Sequence, residues 1–443
     1  MSYVGQTYII PFQTSGMNLN KNLDSIPPSG LVVARNVNLH EGGIGTRGGT
    51  TKDNSTAVTD SPDIRGLYYF RLKNGNDFKV FATSAGSVYK NTTDTIKTGL
   101  STANRFWFET FENELYIVDG ANAPQTWNGV AAGTTAITSS ATDWSGTSQP
   151  DQIIKHGRGV SERLWAKGCT SNLESVYYSD LGNGQNFLTG TAGKLAIETY
   201  DGFGIIGLME FGDKLFAFGK RQTWIINDAD VNTVNWGYEL APWSGGAASQ
   251  RLIVKTDNDI FAMMEDGEIY SVNAAQFSGD YKKASITRPA FINRYIAANV
   301  VMSRFAQFHA CYDPTLRAIF WFVVRSGQTE NDTALVYFVD RPPDQAWVVH
   351  DNQSSNSGYS AACSAVVRVG DGDYEVWTGD HSGFKWRLDQ ENANDGDSAF
   401  YASAKTPNIS LDNPRAHKHF RRGRVLTEPR GTYNLNVTYW VDG

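Results

Sequence analysis

Residues with side chains suited to catalysis or metal binding are scattered along this chain, and few of them lie close together in the sequence. His417 and His419 alternate and could bind a metal from one face of a strand. No acidic residue or third histidine lies beside them in the sequence, so an exposed basic strand is the better interpretation. The pairs Asp266-Gly267 and Asp371-Gly372 fit hairpin turns better than calcium loops. The short motifs of serine hydrolases, zinc proteases, P-loop NTPases and dinucleotide-binding enzymes are absent from the sequence. The sequence therefore predicts a protein that is not an enzyme and uses no cofactor or metal.

One basic run contrasts with the acidic remainder of the chain. Its cationic members are Arg415, Lys418, Arg421, Arg422 and Arg424. They are candidate contacts to nucleic acid or to an acidic neighbouring subunit. The alternative is the solvated face of an edge strand, where charge also prevents edge-to-edge pairing. A solvated face or a subunit contact is the favoured interpretation, ahead of DNA.

The elements that must position these residues are short strands. The chain has 43 glycines among 443 residues, and its charged fraction is 19%. Frequent turns need that composition, whereas long stretches with a helical period are hard to find. The clearest unit runs from residue 205 to residue 226, as three apolar strands separated by Gly-Asp-Lys and Gly-Lys-Arg turns. Such a unit indicates a β-meander.

Similar units recur along the chain, and the last aromatic residue of each unit gives their spacing. These residues are Tyr89, Trp127, Tyr178, Trp224, Tyr270, Phe338 and Trp386. The intervals between them are 38, 51, 46, 46, 68 and 48 residues. A period of about 40–50 residues is typical of four-stranded propeller blades. The fold class predicted is therefore all-β, a six- or seven-bladed β-propeller, with an insertion in the long interval before Phe338. Unrelated hairpins in β-sandwiches are the alternative.

The two ends of the chain differ from this repeat. Residues 1–60 are predicted to be an N-terminal arm and strand, residues 61–388 the propeller, and residues 389–443 a C-terminal β region. The C-terminal segment has strand patterns at 400–402, 423–426 and 435–441. Both terminal segments are expected to form an accessory β-sheet or sandwich.

Charge and cysteine content narrow the class of protein further. The formal net charge of −7 disfavours a protein whose main task is to grip nucleic acid. The three cysteines, Cys169, Cys311 and Cys363, are far apart, which favours reduced thiols over a disulfide framework. Neither a signal-peptide pattern nor an apolar run of bilayer length is found in the sequence, so we expect a soluble protein made in the cytoplasm.

Several segments resemble a family of virion proteins. Residues 17–20 (Met-Asn-Leu-Asn), 26–30 (Ile-Pro-Pro-Ser-Gly), 34–37 (Ala-Arg-Asn-Val) and 42–49 (Gly-Gly-Ile-Gly-Thr-Arg-Gly-Gly) resemble the opening of many tailed-phage virion proteins. Residues 205–228 resemble the blades of the packaged-DNA stabilisation proteins of short-tailed phages, which are also called tail hub or nozzle proteins. Residues 418–425 resemble a late basic-then-apolar strand of those proteins.

This resemblance implies a structural protein of the virion tail. It implies a homohexameric ring below the portal and adaptor (head-completion) proteins, with tail needle, spike or fibre proteins beside or beneath it. The ring would surround the channel through which double-stranded DNA leaves the head, without sequence recognition. It would help to retain the packaged genome and then to release it. The family has no catalytic residues to carry over and no membrane anchor, and assembly would take place in the host cytoplasm.

Two other classes stay open. A receptor- or carbohydrate-binding propeller at the tail tip, including a carbohydrate-active one, would need an exposed pocket with tryptophans and carboxylates. A cellular scaffold propeller would bind peptides on one face.

Overall fold

The computed structural model describes residues 15–40, 42–92, 94–157, 161–352, 357–392, 394–409 and 434–439. The chain divides into two compact units, Ile9–Asn408 in one, and Met1–Tyr8 with Ile409–Gly443 in the other. In the second unit, residues 434–439 are exposed and form neither helix nor strand, so the strand predicted at 435–441 is wrong over those residues. The predicted strand at 423–426 lies outside the described residues.

The larger unit begins with a short 3-10 helix, Leu23–Ser25. Four strands follow it: β1 (Val33–Arg35), β2 (Val37–His40), β3 (Gly43–Thr46) and β4 (Gly49–Lys52). Strands β2 and β3 pair as a two-stranded hairpin. Strands β1 and β4 pair with distant parts of the chain.

Four sheets of four strands come next, and each is an antiparallel meander. Blade 1 contains β5 (Ile64–Arg71), β6 (Asp77–Thr83), β7 (Val88–Lys90) and β8 (Asp94–Lys97). Blade 2 contains β9 (Trp107–Phe111), β10 (Glu114–Val118), β11 (Gln125–Trp127) and β12 (Thr135–Ala136). Blade 3 contains β13 (Gln152–His156), β14 (Arg163–Lys167), β15 (Ser175–Tyr178) and β16 (Gly193–Ala196). Blade 4 contains β17 (Gly207–Phe211), β18 (Lys214–Phe218), β19 (Thr223–Asn227) and β20 (Gly237–Leu240), with a 3-10 helix at Thr233–Asn235.

The last three sheets depart from this plan. Blade 5 has three strands, β21 (Ile253–Lys255), β22 (Ile260–Met263) and β23 (Ile269–Ser271), after a 3-10 helix at Gln250–Leu252. It is followed by helices α1 (Val272–Ser278) and α2 (Ile292–Asn299) and a 3-10 helix at Met302–Gln307. Blade 6 contains β24 (His309–Asp313), β25 (Ala318–Val323), β26 (Thr333–Phe338) and β27 (Trp347–Asp351). Blade 7 contains β28 (Cys363–Arg368), β29 (Tyr374–Gly379) and β30 (Lys385–Gln390). The remaining strands are β31 (Asn394–Asp395), β32 (Ser398–Ala399) and β33 (Ser403–Lys405).

The local sequence explains why each blade turns where it does. In blade 4, Phe211 pairs with Lys214, so only Gly212 and Asp213 connect β17 to β18. Gly212 has a φ of 66°, a conformation that a two-residue hairpin turn requires and that glycine adopts without strain. Four of the five residues of β18 are buried because neighbouring blades cover both faces of the strand.

The seven sheets form a closed ring. The first strand of each blade lies beside the first strand of the next blade, and β28 of blade 7 lies beside β5 of blade 1. Buried hydrophobic clusters fill the spaces between blades; Phe70 of blade 1 and Phe108 of blade 2 share one of them. Ile64 of blade 1 and Trp377 of blade 7 share another, which closes the circle. The predicted β-propeller is therefore confirmed, with seven blades.

The repeat spacing is explained by the position of the aromatic residues. All seven residues that defined it lie in the third strand of their blade, from Tyr89 in β7 to Trp386 in β30. The predicted insertion before Phe338 corresponds to α1, α2 and the 3-10 helix at Met302–Gln307.

The described strands of the terminal segments mostly join blades. Strand β4 pairs antiparallel with β30 as the fourth strand of blade 7, and β31 and β32 extend that sheet. Strands β1 and β33 extend blade 6 beyond β27. Predicted boundaries at residues 60 and 388 thus do not separate these strands from the propeller, and the β2–β3 hairpin is the only described terminal sheet outside the blades. A blade edge offers unpaired backbone groups, and these strands satisfy them.

Candidate functional site

The predicted contact residues cannot be placed in the fold. Arg415, Lys418, Arg421, Arg422 and Arg424 all lie outside the described residues. The sites that the described residues form were not predicted from the sequence.

The first strand of each blade is the innermost one, because these strands lie side by side around the ring. At the end where these strands begin, side chains link blades that are not neighbours. Arg105 lies two residues before β9 of blade 2, and its guanidinium donates hydrogen bonds to the carbonyl oxygens of Ala362 and, at 3.1 Å, of Gln307. Those two carbonyls precede β28 of blade 7 and β24 of blade 6, on other sides of the ring. Gln250 of blade 5 likewise reaches the carbonyl oxygen of Asp151 before blade 3, at 3.1 Å. The channel is therefore obstructed at this end.

A group of charged side chains lies near the ends of β13 and β17, the first strands of blades 3 and 4. The buried His156 of β13 places Nε2 3.2 Å from the Asp228 carboxylate and Nδ1 3.8 Å from Glu210. Burial alone would lower the pKa of His156, but these two carboxylates outweigh it and raise the pKa to about 9. The positive charge of His156, aided by that of Lys255, lowers the pKa of Glu210 to about 2. The imidazole is therefore a cation at neutral pH and joins blades 3 and 4.

Glu109 of β9 is a buried carboxyl whose pKa lies near neutrality. Burial raises its pKa to about 7, and the backbone N–H of Thr110 donates to it at 3.0 Å. Such a group can exchange a proton at neutral pH. His156 is held protonated between Asp228 and Glu210, so it is not a neutral base at pH 7.

An open cleft of about 590 Å³ lies on the outer side of blade 4. Its lining includes Tyr200, Asp201, Arg221, Leu240 and Trp243. Tyr200 is 76% exposed and Leu240 is 49% exposed. Exposed apolar side chains beside a few polar groups are typical of contact surfaces.

The outer edges of blades 6 and 7 carry a buried ionic contact. Arg47, in the turn between β3 and β4, binds Asp395 through two hydrogen bonds of 2.6 and 2.8 Å, and neither side chain exceeds 1% exposure. Its Nε donates to the Oδ1 of Asn36 at 3.0 Å, and its guanidinium lies 3.8 Å from the centre of the Phe400 ring. We call Arg47, Asn36 and Asp395 the closure cluster, because it holds strands β1, β4 and β31 together.

Tight backbone packing accompanies the closure cluster. A methyl group on Gly48 would meet the carbonyl oxygen of Gln390, and one on Gly49 would meet that of Asn394. Only glycine fits at these two positions.

Among the described residues, no three His, Cys, Asp or Glu side chains come together in a group that could hold a metal ion. No helix in the described ranges is long and apolar enough to span a membrane.

Comparisons with known proteins return fold neighbours. No family profile matches the chain, and no curated protein does. Among solved structures, BBS1N in complex with ARL6DN is 10% identical, with 79% of this chain and 99% of that chain covered and a TM-score of 0.49. YCF48 bound to a D1 peptide is 10% identical, with 76% and 94% covered and a TM-score of 0.45. The Pan2 WD40 domain of Neurospora crassa is 10% identical, with 77% and 96% covered and a TM-score of 0.43. The class of this protein, a closed seven-bladed β-propeller, is defined by its own strand pairing.

Proposed function

We propose that this chain is a structural tail protein of a short-tailed phage, of the tail hub or nozzle type. Six copies would form a ring around the DNA exit channel, below the portal and adaptor proteins, and help to retain and release the packaged genome. In this proposal the protein is architecture rather than an enzyme.

The observation that carries the proposal is the position of the residues behind the sequence resemblance. Asn36, Arg47, Gly48 and Gly49 belong to the opening that resembles phage virion proteins. Asn36 and Arg47 are members of the closure cluster, and the two glycines allow β4 to pack against blade 7. Residues 17–20, from the same opening, also contribute to the core, because Met17 is buried among residues of blade 6. The motif is therefore a requirement of this way of closing a propeller, and it supports membership of a family built in the same way.

The rigidity of the propeller and its obstructed central channel determine where DNA could pass in such a ring. A closed propeller has few free edges and keeps its shape under load. Since Arg105 and Gln250 link non-neighbouring blades at one end of the propeller, a DNA duplex would pass between copies and not through one propeller. Closed rotational symmetry would then set the bore. The net charge of −7 per copy would disfavour the sticking of phosphates to that bore.

The proposal is tested by asking whether the protein forms a ring on portal–adaptor complexes. Purified protein, alone and mixed with portal–adaptor complexes from the same genome, is imaged by electron microscopy and weighed by mass photometry. We expect a particle of about six chains of 48.8 kDa on the complex. A chain that stays monomeric in the presence of a competent portal–adaptor complex would contradict the proposal.

A second candidate is a receptor- or carbohydrate-binding propeller at the tail tip. The cleft favours it, because the exposed Tyr200 ring could stack on a sugar while Asp201 and Arg221 supply polar contacts. Binding on a glycan array that Tyr200→Ala abolishes would support this candidate. An array with no bound glycan would count against it.

A further inference from the structure

The cleft on the outer side of blade 4 is built by three segments that meet at one end of that blade. Residues 200–201 lead into β17, residues 221–222 belong to the turn between β18 and β19, and residues 240–244 follow from β20. The segments come together because β18 pairs with both β17 and β19, and β19 pairs with β20. The cleft volume of about 590 Å³ is in the range of sites that hold a small ligand.

The backbone of the β18–β19 turn is fixed, whereas the Arg221 side chain in that turn is free. The N–H of Gly219 donates to the carbonyl oxygen of Gln222 at 2.8 Å, and the N–H of Gly245 donates to that of Arg221 at 3.1 Å. Arg221 is exposed, and among the described residues its guanidinium has no ion pair, hydrogen bond or aromatic ring against it. The fork of donors on a guanidinium matches the two oxygens of a carboxylate. The cleft is therefore lined by a group suited to a carboxylate.

An exposed aromatic ring lines the same cleft. Tyr200 is 76% exposed, and the neighbouring apolar side chain of Leu240 is 49% exposed. The C–H face of a pyranose ring packs against such a surface, because an aromatic ring carries its negative charge on its face. The buried Trp243 lies beneath them in the lining and is held in the core of blades 4 and 5.

Polar groups beside the ring suit the hydroxyl groups of a sugar. The Oδ1 of Asp201 accepts the N–H of Phe203 at 3.1 Å, which orients the carboxylate and leaves Oδ2 as an acceptor. The side chains of Gln222 and Ser244 also line the cleft. Asp201 would repel an anionic group placed against it, so the ligand must direct hydroxyl groups towards Asp201 and its charge towards Arg221.

Two lysines beside the cleft add positive charge. Lys282 and Lys283 are placed there by a backbone hydrogen bond of 3.3 Å from the residue before them to the carbonyl oxygen of Ser244. Both are exposed, and neither forms an ion pair with another described residue. Together with the guanidinium they give three cations, against the two carboxylates of these segments, Asp201 and Asp280. Cations thus exceed carboxylates here, although the net charge of the chain is −7, and they attract an anionic ligand.

We propose that this cleft binds a saccharide that carries a carboxylate, such as a glycan with uronic acid units. Tyr200 packs against the ring face, Asp201 accepts hydrogen bonds from the hydroxyl groups, and Arg221 binds the carboxylate. This inference names the ligand class of the second candidate function and rests on that candidate, and it does not depend on ring formation.

The experiment is a glycan array probed with the whole chain, on which each uronic acid glycan is printed beside its methyl ester. Esterification removes the charge and keeps the sugar ring with its hydroxyl groups, so each pair isolates the contribution of the carboxylate. We expect the acids to bind and their esters to bind at least about tenfold more weakly. Calorimetric titration with the tightest acid and its ester then gives both affinities, with one site per chain expected.

Three variants assign the selectivity to its residue. Arg221→Gln should lower the affinity for the acid to about that for the ester and leave the affinity for the ester unchanged. Tyr200→Ala should weaken the binding of both. The matched control is Arg71→Gln, because Arg71 is an exposed arginine at the end of β5 in blade 1, and it should change neither affinity. All three positions are exposed, so the variants should fold, which circular dichroism checks.

The outcomes separate this inference from the candidate function on which it rests. Equal binding of acids and esters would overturn the inference and leave a carbohydrate-binding propeller standing. Selectivity for the acid that persists in folded Arg221→Gln, or that is lost in Arg71→Gln, would also overturn it. An array without any bound glycan would count against both.

Discussion

Replacing Arg47 should test whether the closure cluster stabilises the propeller. Arg47 and Asp395 are at most 1% exposed and share two hydrogen bonds of 2.6 and 2.8 Å. Arg47→Met keeps most of the volume but leaves the Asp395 carboxylate buried without its cation. Removing one partner of such a pair costs about 3–5 kcal/mol. The cation also lies against the rings of Phe400 and Tyr359, at 3.8 and 4.3 Å, so we expect the upper part of that range.

The loss of unfolding free energy is measured by urea unfolding, monitored by tryptophan fluorescence. We expect a lower midpoint concentration of urea and an unchanged dependence of the unfolding free energy on urea concentration. The double variant Arg47→Met with Asp395→Leu should recover at least about 1 kcal/mol, because it leaves no buried charge. Lys73→Met is the control; Lys73 and Glu112 are 3.5 Å apart but 75% and 49% exposed, and loss of that pair should cost under about 1 kcal/mol. A cost for Arg47→Met as small as that of the control would refute the reasoning, and so would a double variant as unstable as the sum of the single variants.

Two further predictions concern other parts of the ring. The folded pKa of His156, about 9, lies above the ordinary value of about 6.5, so its contribution is complete below about pH 6.5 and is lost as the pH rises through 9. The difference in unfolding free energy between wild type and His156→Gln should therefore shrink by up to about 3 kcal/mol over that interval in urea titrations, and a constant difference would contradict this. Gly49→Ala should cost about 1–3 kcal/mol, because its methyl group would meet the Asn394 carbonyl oxygen, whereas Gly43→Ala meets no atom and should be close to neutral. Equal urea midpoints for the two variants would show that this contact does not limit packing.

The sequence was sufficient to predict the blades because their pattern is local. An aromatic residue in the third strand must fill the space between two blades, so Trp127 and Trp224 recur at similar points of their units. The interval of 68 residues between the aromatic residues Tyr270 and Phe338 likewise indicated an insertion. Helices α1 and α2 lie in that interval and add residues without adding a blade.

The partners of the terminal strands could not be predicted in this way. Strand β4 pairs with β30 through backbone groups, and such pairing leaves no pattern in either segment alone. In the sequence, Arg47 is distinguished only as part of a motif, and Asp395 lies in a polar stretch with no distinguishing feature. Arg105 has no distinguishing pattern in the sequence, because single arginines before strands occur on any surface, and its carbonyl partners lie more than 200 residues later in the chain.

The pairing of β4 with blade 7 also has a consequence for biosynthesis. Thr51 receives a hydrogen bond from Asn392, 341 residues later in the chain. On the ribosome, the fourth strand of blade 7 thus emerges before the first complete blade, and it must wait for its neighbour until β30 has been synthesised. During that interval the nascent chain has an unpaired strand, and its ring of blades is not yet closed. Late long-range pairing and unpaired strand edges make folding slow and prone to aggregation. The emergence of β30, rather than the formation of the earlier blades, should therefore set the time at which the propeller becomes resistant to proteases.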